Sequence, residues 1–378
     1  MITLSLLQIC MGRPWQGLRA RHLLASVALC ALLPAQAPPA TTPPDQLLLK
    51  DYRPRSIFQV PRSRVEKARF QAIDMHSHPY AEKDSDVETW VRTMDSVGIE
   101  RTVVLFGTTG KDFDEGVRRY RKYPGRFEWW CGIDFTDFEK PGFGPAALAE
   151  LERCHRLGAL GVGEITDKGG GLKENAGGMH LDDPRMDAIL EKCADLGMPI
   201  NVHVGEDKWM YEPMDPTNDG LMNAFEWKIP VSPSVLRHDQ VIATLDRALQ
   251  RHPRTIFIAC HLANCCYDLS LLGSMLDRHP NLYADIGARY GETAPVPRHV
   301  ARFFERYQDR LLYGTDMGLD AEMYRTTFRI LESEDEHFYE VEQFGYHWPL
   351  YGFGLKPTIL QKLYRENARA VMKRAKQP

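Results

Sequence analysis

Two histidines one residue apart, His76 and His78, follow a short apolar run at 70–75 that reads as a β-strand. Side chains two apart on a strand share a face, and neutral imidazole is a common protein ligand for zinc. The pair alone is a weak signal in a chain with 13 histidines. Residues of matching chemistry recur at the ends of four further predicted strands: Glu164 after Gly163, His203 after Asn201-Val202, His261 after Ala259-Cys260, and Asp316 after Gly314-Thr315. One polar residue at a strand end is explained by closing the end of a sheet. Five strand ends that do so together are not explained by packing alone. They point to a divalent metal, zinc first, with an open position for water. By contrast, His252 and His279 each lie in Arg-His-Pro at a predicted helix end, where capping accounts for them. His155 falls inside a predicted helix, and His22 lies in the N-terminal segment.

The elements that must place these residues alternate along the chain. Short apolar runs at 70–75, 101–106, 127–133, 159–164, 199–204, 255–260, 282–286 and 310–313 read as strands. Amphipathic stretches at 85–97, 113–123, 145–157, 184–196, 236–251, 269–279 and 297–307 read as helices, with a last helix at 357–373. Gly98, Gly158 and Gly197 follow their helices as C-terminal caps. Such alternation predicts an α/β fold with parallel strands and helical crossovers. No GxGxxG or GxxxxGK[ST] follows the first strand, which removes the usual reason for an open doubly wound sheet. Eight repeats of strand and helix predict a (β/α)8 TIM barrel, a single catalytic domain over 70–373, whose active site belongs at the C-terminal ends of the strands. No repeat of solenoid period is present.

In this order and spacing, His76-x-His78, Glu164, His203, His261 and Asp316 resemble the amidohydrolase superfamily. Ile73-Asp74-Met75-His76-Ser77-His78, Tyr313-Gly314-Thr315-Asp316 and Tyr364-Arg365-Glu366-Asn367-Ala368 are similar to its amidohydrolase-related branch, family 2. The resemblance spans about 70–372. It implies that His76, His78, His203 and Asp316 ligate one metal, with His261 beside the water as acid/base or electrostatic partner. Glu164 is open to two roles. In a related deoxyribonuclease branch a Gly-Glu here bridges two metals, with the sixth-strand histidine on the second; in mononuclear members this position supports the ligands instead.

Such a site lowers the pKa of a bound water towards about 7. Asp316 can take that water's proton and pass it to a leaving group. His261 can hydrogen-bond the nucleophile or a developing oxyanion. This machinery suits hydrolysis of a small-molecule amide, ester or lactone. It equally suits a carboxy-lyase or hydratase, because the same cation polarises a carboxylate or carbonyl. A barrel that has lost activity and only binds is the third reading.

For substrate recognition the sequence offers Lys168 with Gly169-Gly170-Gly171, the long connection 205–233 with Lys208, Trp209, Tyr211 and Trp227, and Asp285, Arg289 and Tyr290 around the seventh strand. Cations and aromatics there favour an anionic or aromatic small molecule. Trp129 and Trp130 read as packing. The connection 317–355 is open to two readings, a lid over the mouth or a contact in a homo-oligomer.

Composition is that of a globular protein, 43% hydrophobic and 26% charged. The net charge of −4 becomes more negative without residues 1–37, which hold Arg13, Arg19 and Arg21 and no acid. That balance disfavours nucleic acid as a partner, and with it a nuclease. Residues 1–37 read as a signal peptide: Arg19 and Arg21 precede the apolar run 23–33, too short for a stable membrane span, and Ala35-Gln36-Ala37 has the form of a cleavage site. Pro38 suits such a cut poorly, Leu29 suits a lipid-modified Cys30 poorly, and Met11 is an alternative start. The reading is an exported protein, periplasmic or secreted, with a Pro-rich tether and lead-in over 38–69. The eight cysteines show no CxxC spacing and read mainly as buried thiols.

Overall fold

A computed structural model describes residues 42–172 and 177–375. The expected signal peptide and the start of the tether lie outside the described residues. The body that carries the secondary structure begins at Leu48. Contacts that tie down its lead-in include Ser63 N donating to Asp335 and Arg69 N donating to Glu332.

All eight predicted strands form: β1 Ala72–Ser77, β2 Ile99–Leu105, β3 Phe127–Trp130, β4 Val162–Asp167, β5 Ile200–Val204, β6 Phe257–Ala259, β7 Leu282–Asp285 and β8 Leu311–Leu312. Each ladder between neighbours is parallel, in the orders β1-β2-β3 and β4-β5-β6-β7-β8. Two irregular seams close the ring. Cys131 bridges to Val162 between β3 and β4, and Met75 N donates to Tyr313 O at 2.9 Å between β1 and β8. The result is the expected (β/α)8 barrel.

Helices cover the outside: α1 Asp84–Val97, α2 Gly110–Tyr120, α3 Phe143–Arg156, α4 Asp187–Asp195, then α5 Leu221–Trp227 inside the β5 connection, α6 His238–Arg251, α7 Leu269–Arg278, α8 Tyr290–Thr293 and α9 Pro297–Arg306. The segment 317–355, expected as a lid over the mouth or an oligomer contact, also supplies a barrel helix. Twelve of its residues form α10, Ala321–Glu332, the eighth barrel helix. Asp320 caps it, and Tyr324 meets Trp90 of α1 through a 3.2 Å hydrogen bond. The physical cause is a helical apolar stripe, Met323, Tyr324, Thr327, Phe328 and Leu331, buried together. The rest of the segment holds α11, Val341–Phe344, and reaches the barrel mouth.

The chain ends in α12 Pro357–Gln361, a π turn Lys362–Glu366 and α13 Asn367–Ala375. Ala368 and Val371 join Ile73, Met75, Val103, Leu105, Ile258 and Leu312 in an apolar cluster that fills the barrel. Arg369 pairs with Glu100 at the start of β2, and Arg374 donates to Pro280 O before β7. The last helix therefore covers the N-terminal end of the barrel. The six described cysteines are all free and buried, as expected.

Candidate metal centre

Beyond the C-terminal ends of the strands the backbone takes costly conformations. His261, Leu262, Ala263 and Asn264 follow β6 with φ between 52° and 58°, and Asp316 after β8 has φ 54°. Left-handed backbone costs most L-residues roughly 1–2 kcal/mol each. The turn persists because its neighbours hold it. His261 N donates to Asp285 Oδ1 at 3.1 Å, and the Asn264 amide donates to Val204 O and Gly205 O, each at 3.1 Å. Strain held this way concentrates at functional sites. Gly314 serves the same purpose differently: a Cβ there would lie 2.7 Å from the Cβ of His76, so only glycine lets β8 approach that ligand candidate.

The six residues expected from the sequence are brought together. His78 Nε2 lies 3.2 Å from Glu164 Oε2 and 3.1 Å from Asp316 Oδ1. His76 Nε2 lies 3.6 Å from Asp316 Oδ1 and 3.9 Å from Glu164 Oε2. His203 Nδ1 meets Glu164 Oε1 at 2.6 Å, and His261 Nε2 meets His203 Nδ1 at 3.2 Å. The donors of His76, His78 and Asp316 all lie within 4.8 Å of one another, as do those of His76, Glu164, Cys260 and His261. His203 belongs to neither set and joins the centre through Glu164 and His261.

Three of the rings are fixed from behind. His76 Nδ1 donates to Asp285 Oδ2 at 2.9 Å, His78 Nδ1 to Leu105 O at 3.1 Å, and His261 Nδ1 to Gly287 O at 2.8 Å. Carbonyl oxygens and an ionised carboxylate only accept, so the neutral rings turn lone pairs at Nε2 towards Glu164 and Asp316. Lone pairs facing carboxylates repel unless a cation lies between them. His76 Nε2 is buried and has no hydrogen-bond partner. The donor set therefore fits a divalent metal. For neutral His261 the same fixation leaves Nε2 as an acceptor.

The electrostatics agree. Burial pulls His76 down, but Asp285, Asp316 and Glu164 outweigh it and carry it to about 9. Burial likewise opposes Asp316 and Glu164 at His78, and Glu206 and Glu164 at His203; both rise to about 10. A cation taken up here displaces those protons. Burial, Arg289 and His203 hold His261 below its ordinary value. Burial would raise Glu164 and Asp316, yet the histidines keep both below the usual carboxylate range.

A cavity of about 530 Å³ opens beside this centre, lined by Glu164, His203, His261 and Asp316 at one end and by Lys168, Asn223, Trp227, Phe344 and Tyr346 around it. Of the recognition candidates, Lys168 and Trp227 line it, with the ammonium 5.2 Å from the indole centroid. Lys168 also pairs with Glu206. Arg289 lines it too, but its charge is matched by Asp207, Glu206 and Glu292. Trp209 packs on Trp348, Tyr211 against His238, and Tyr290 is buried with its hydroxyl on Gly314 O. Lys208 pairs with Glu212. Asp285 is fully buried beneath the centre, so it supports histidines rather than meeting substrate. Trp130 is core packing, as expected.

Sequence reasoning missed three contributors. Tyr80 donates to Asp316 Oδ1 at 3.2 Å, Glu206 faces His203 Nε2 at 3.4 Å, and the Asn201 amide donates to Asp285 Oδ2 at 3.1 Å. Tyr80 and Glu206 lie two and three residues after ligand candidates, which is the signal that could have found them.

The fold has counterparts among known proteins. A family model described as amidohydrolase matches residues 60–374. No curated protein matches the sequence. Among solved structures, an uncharacterised TIM-barrel protein, Bb4693, from Bordetella bronchiseptica is similar at 17% identity and TM-score 0.53, over 81% of this chain and 99% of that one. A structure described as amidohydrolase II is similar at 14% identity and TM-score 0.51, over 80% and 99%.

Proposed function

This chain belongs to the amidohydrolase family, and on that premise we propose that it is a metal-dependent hydrolase of a small-molecule amide, ester or lactone. The observation that carries the reading is the convergence of three imidazoles, each held at Nδ1 by an acceptor, on Glu164 and Asp316. We assign His76, His78, His203 and Asp316 as ligands of a divalent metal, zinc by preference. When bound, it polarises the scissile carbonyl and lowers the pKa of water towards about 7.

The remaining chemistry belongs to the chain. Asp316 is ionised, lines the cavity and takes the proton of the attacking water, then returns it to the leaving group. Tyr80 holds one of its oxygens in place. His261, neutral and fixed at Nδ1, accepts a hydrogen bond from that water at Nε2 and so aims it. Asp285 keeps the His76 ring in the required tautomer. Glu164 aligns His203 through the 2.6 Å contact of Oε1 with Nδ1. Trp227, Phe344 and Tyr346 form the cavity wall and limit water.

A second reading, a carboxy-lyase on the same scaffold, is favoured by one observation: Lys168 places an ammonium in the cavity lining, where a substrate carboxylate would meet it. One experiment orders the readings. Elemental analysis of the purified protein is followed by a panel of small amides, esters, lactones and aromatic carboxylates, with and without chelator. We expect about one metal per chain and hydrolysis that the chelator abolishes. Two metals per chain would promote Glu164 and His261 to ligands. Carbon dioxide release without addition of water overturns hydrolysis. A metal-free protein without turnover overturns both readings in favour of a binding barrel.

A further inference from the structure

The ligand assignment above uses nitrogen and oxygen alone, yet a sulfur sits beside one of those ligands, His76. Cys260 is the residue between β6 and His261, and it is fully buried. Its Sγ forms one set with donor atoms of His76, Glu164 and His261, all within 4.8 Å of one another, and is the sole sulfur in such a set among the described residues.

Its surroundings separate it from the other thiols. Cys131, Cys154, Cys193, Cys265 and Cys266 all pack in the main hydrophobic core, whereas Cys260 belongs to no apolar cluster. It donates instead to Asn201 Oδ1 at 2.7 Å. The Asn201 amide in turn holds Asp285, which holds His76. The thiol is therefore part of a polar layer beneath the site, grouped with a ring nitrogen of His76. Packing calls for an apolar neighbourhood, and Cys260 lacks one. A sulfur within 4.8 Å of donor atoms of two imidazoles and a carboxylate has a direct chemical use.

We propose that Cys260 is a sulfur ligand of the metal and sets its identity, favouring thiophilic cations such as zinc and cobalt over manganese and magnesium. The inference rests on the metal reading above. On binding, the Sγ–H bond breaks, its proton leaves to solvent, and an Sγ–metal bond forms; no oxidant or reductant takes part. Asn201 gives up one neutral hydrogen bond. Soft thiolate donors select zinc over metals that prefer an all-oxygen shell.

The test uses the full-length protein, stripped by chelator and titrated with cobalt(II) without oxygen. Wild type should show visible d–d bands together with a near-ultraviolet thiolate-to-cobalt charge-transfer band. Cys260→Ser should keep the visible bands, lose the near-ultraviolet band, and lose most of the preference for zinc over manganese in competition. Cys265→Ser should keep both bands. A near-ultraviolet band that survives in Cys260→Ser, or visible bands without it in wild type, overturns the proposal. Should Cys260→Ser fail to fold, X-ray absorption of the zinc-loaded wild type decides: a sulfur scatterer at about 2.3 Å supports it, and a shell of nitrogen and oxygen alone overturns it. Absence of any cobalt band is a different failure, because it removes the metal reading itself.

Discussion

The two ends of the barrel are built from opposite materials. At the N-terminal end, Ile73, Val103, Ile258 and Leu312 meet Ala368 and Val371 of α13, and the charges, such as Arg369 with Glu100, stay at the margin. At the C-terminal end, His76, His261 and Asp285 are buried together, and His261–Asn264 and Asp316 adopt left-handed backbone. Apolar burial contributes about 25 cal/mol per Å² without demanding exact partners. Buried charge contributes only when every partner is present. One end therefore stabilises the fold, while the other spends part of that stability on holding side chains where chemistry needs them.

The contrast predicts that activity and stability can be removed separately. Asp316→Asn is the sharpest case at the upper end. Asparagine has nearly the same shape and tolerates left-handed backbone well. It takes a negative charge away from a site crowded with carboxylates. We expect kcat on any hydrolysable substrate to fall by about 10²–10⁴-fold, with a melting temperature that drops by only a few degrees, as the lost charge no longer pairs with the histidines. A large drop in melting temperature would show that the upper end carries stability and would break the comparison.

Leu312→Ala is the counterpart at the lower end. Leu312 is fully buried in the cluster that fills the barrel. Removing it leaves a cavity and should cost about 2–5 kcal/mol in denaturant unfolding. Metal content and kcat per folded molecule should remain those of wild type. Loss of metal in this variant would mean that the two ends are coupled through the strands.

The same contrast governs what the sequence could reveal. The apolar runs of the strands were legible because burial imposes them directly. His76, His78, His203, His261 and Asp316 were legible because strand ends in this fold point at one place. Asp285 was visible too, but its role was misjudged. Only tertiary packing places its carboxylate beneath His76 and the His261 amide, away from the cavity. Tyr80 and Glu206 sit in loops, where the direction of a side chain follows from φ and ψ values that no periodicity encodes. The turn His261–Asn264 carried no signal at all, since Leu262 and Ala263 individually disfavour it. Helix α10 was present in the pattern, but its acids and aromatics drew attention to the mouth instead.

The smallest effect concerns pH at the rim of the upper end. His180 Nδ1 donates to Asp167 Oδ2 at 2.8 Å, and Asp167 Oδ1 also accepts from Gly169 N and Gly171 N, in the loop that brings Lys168 to the cavity. Hydrogen bonding by Asp167 raises His180 above the ordinary histidine value of 6.5. A histidine whose folded value exceeds its unfolded one binds a proton more tightly in the fold. Its stabilisation is complete below pH 6.5 and disappears as pH rises through the folded value. Wild type should therefore exceed His180→Gln in unfolding free energy most at pH 5.5 to 6, by about 1 kcal/mol or less, and the gap should close at alkaline pH. The gap between wild type and Leu312→Ala should stay constant over the same range, because no titrating group is lost with that side chain. Asp167 keeps its two backbone donors in His180→Gln, so Lys168 stays in the cavity and kcat should not change. A Leu312→Ala gap that moved with pH as the His180→Gln gap does would place ionisation at both ends, and the division between an apolar base and a charged mouth would fail.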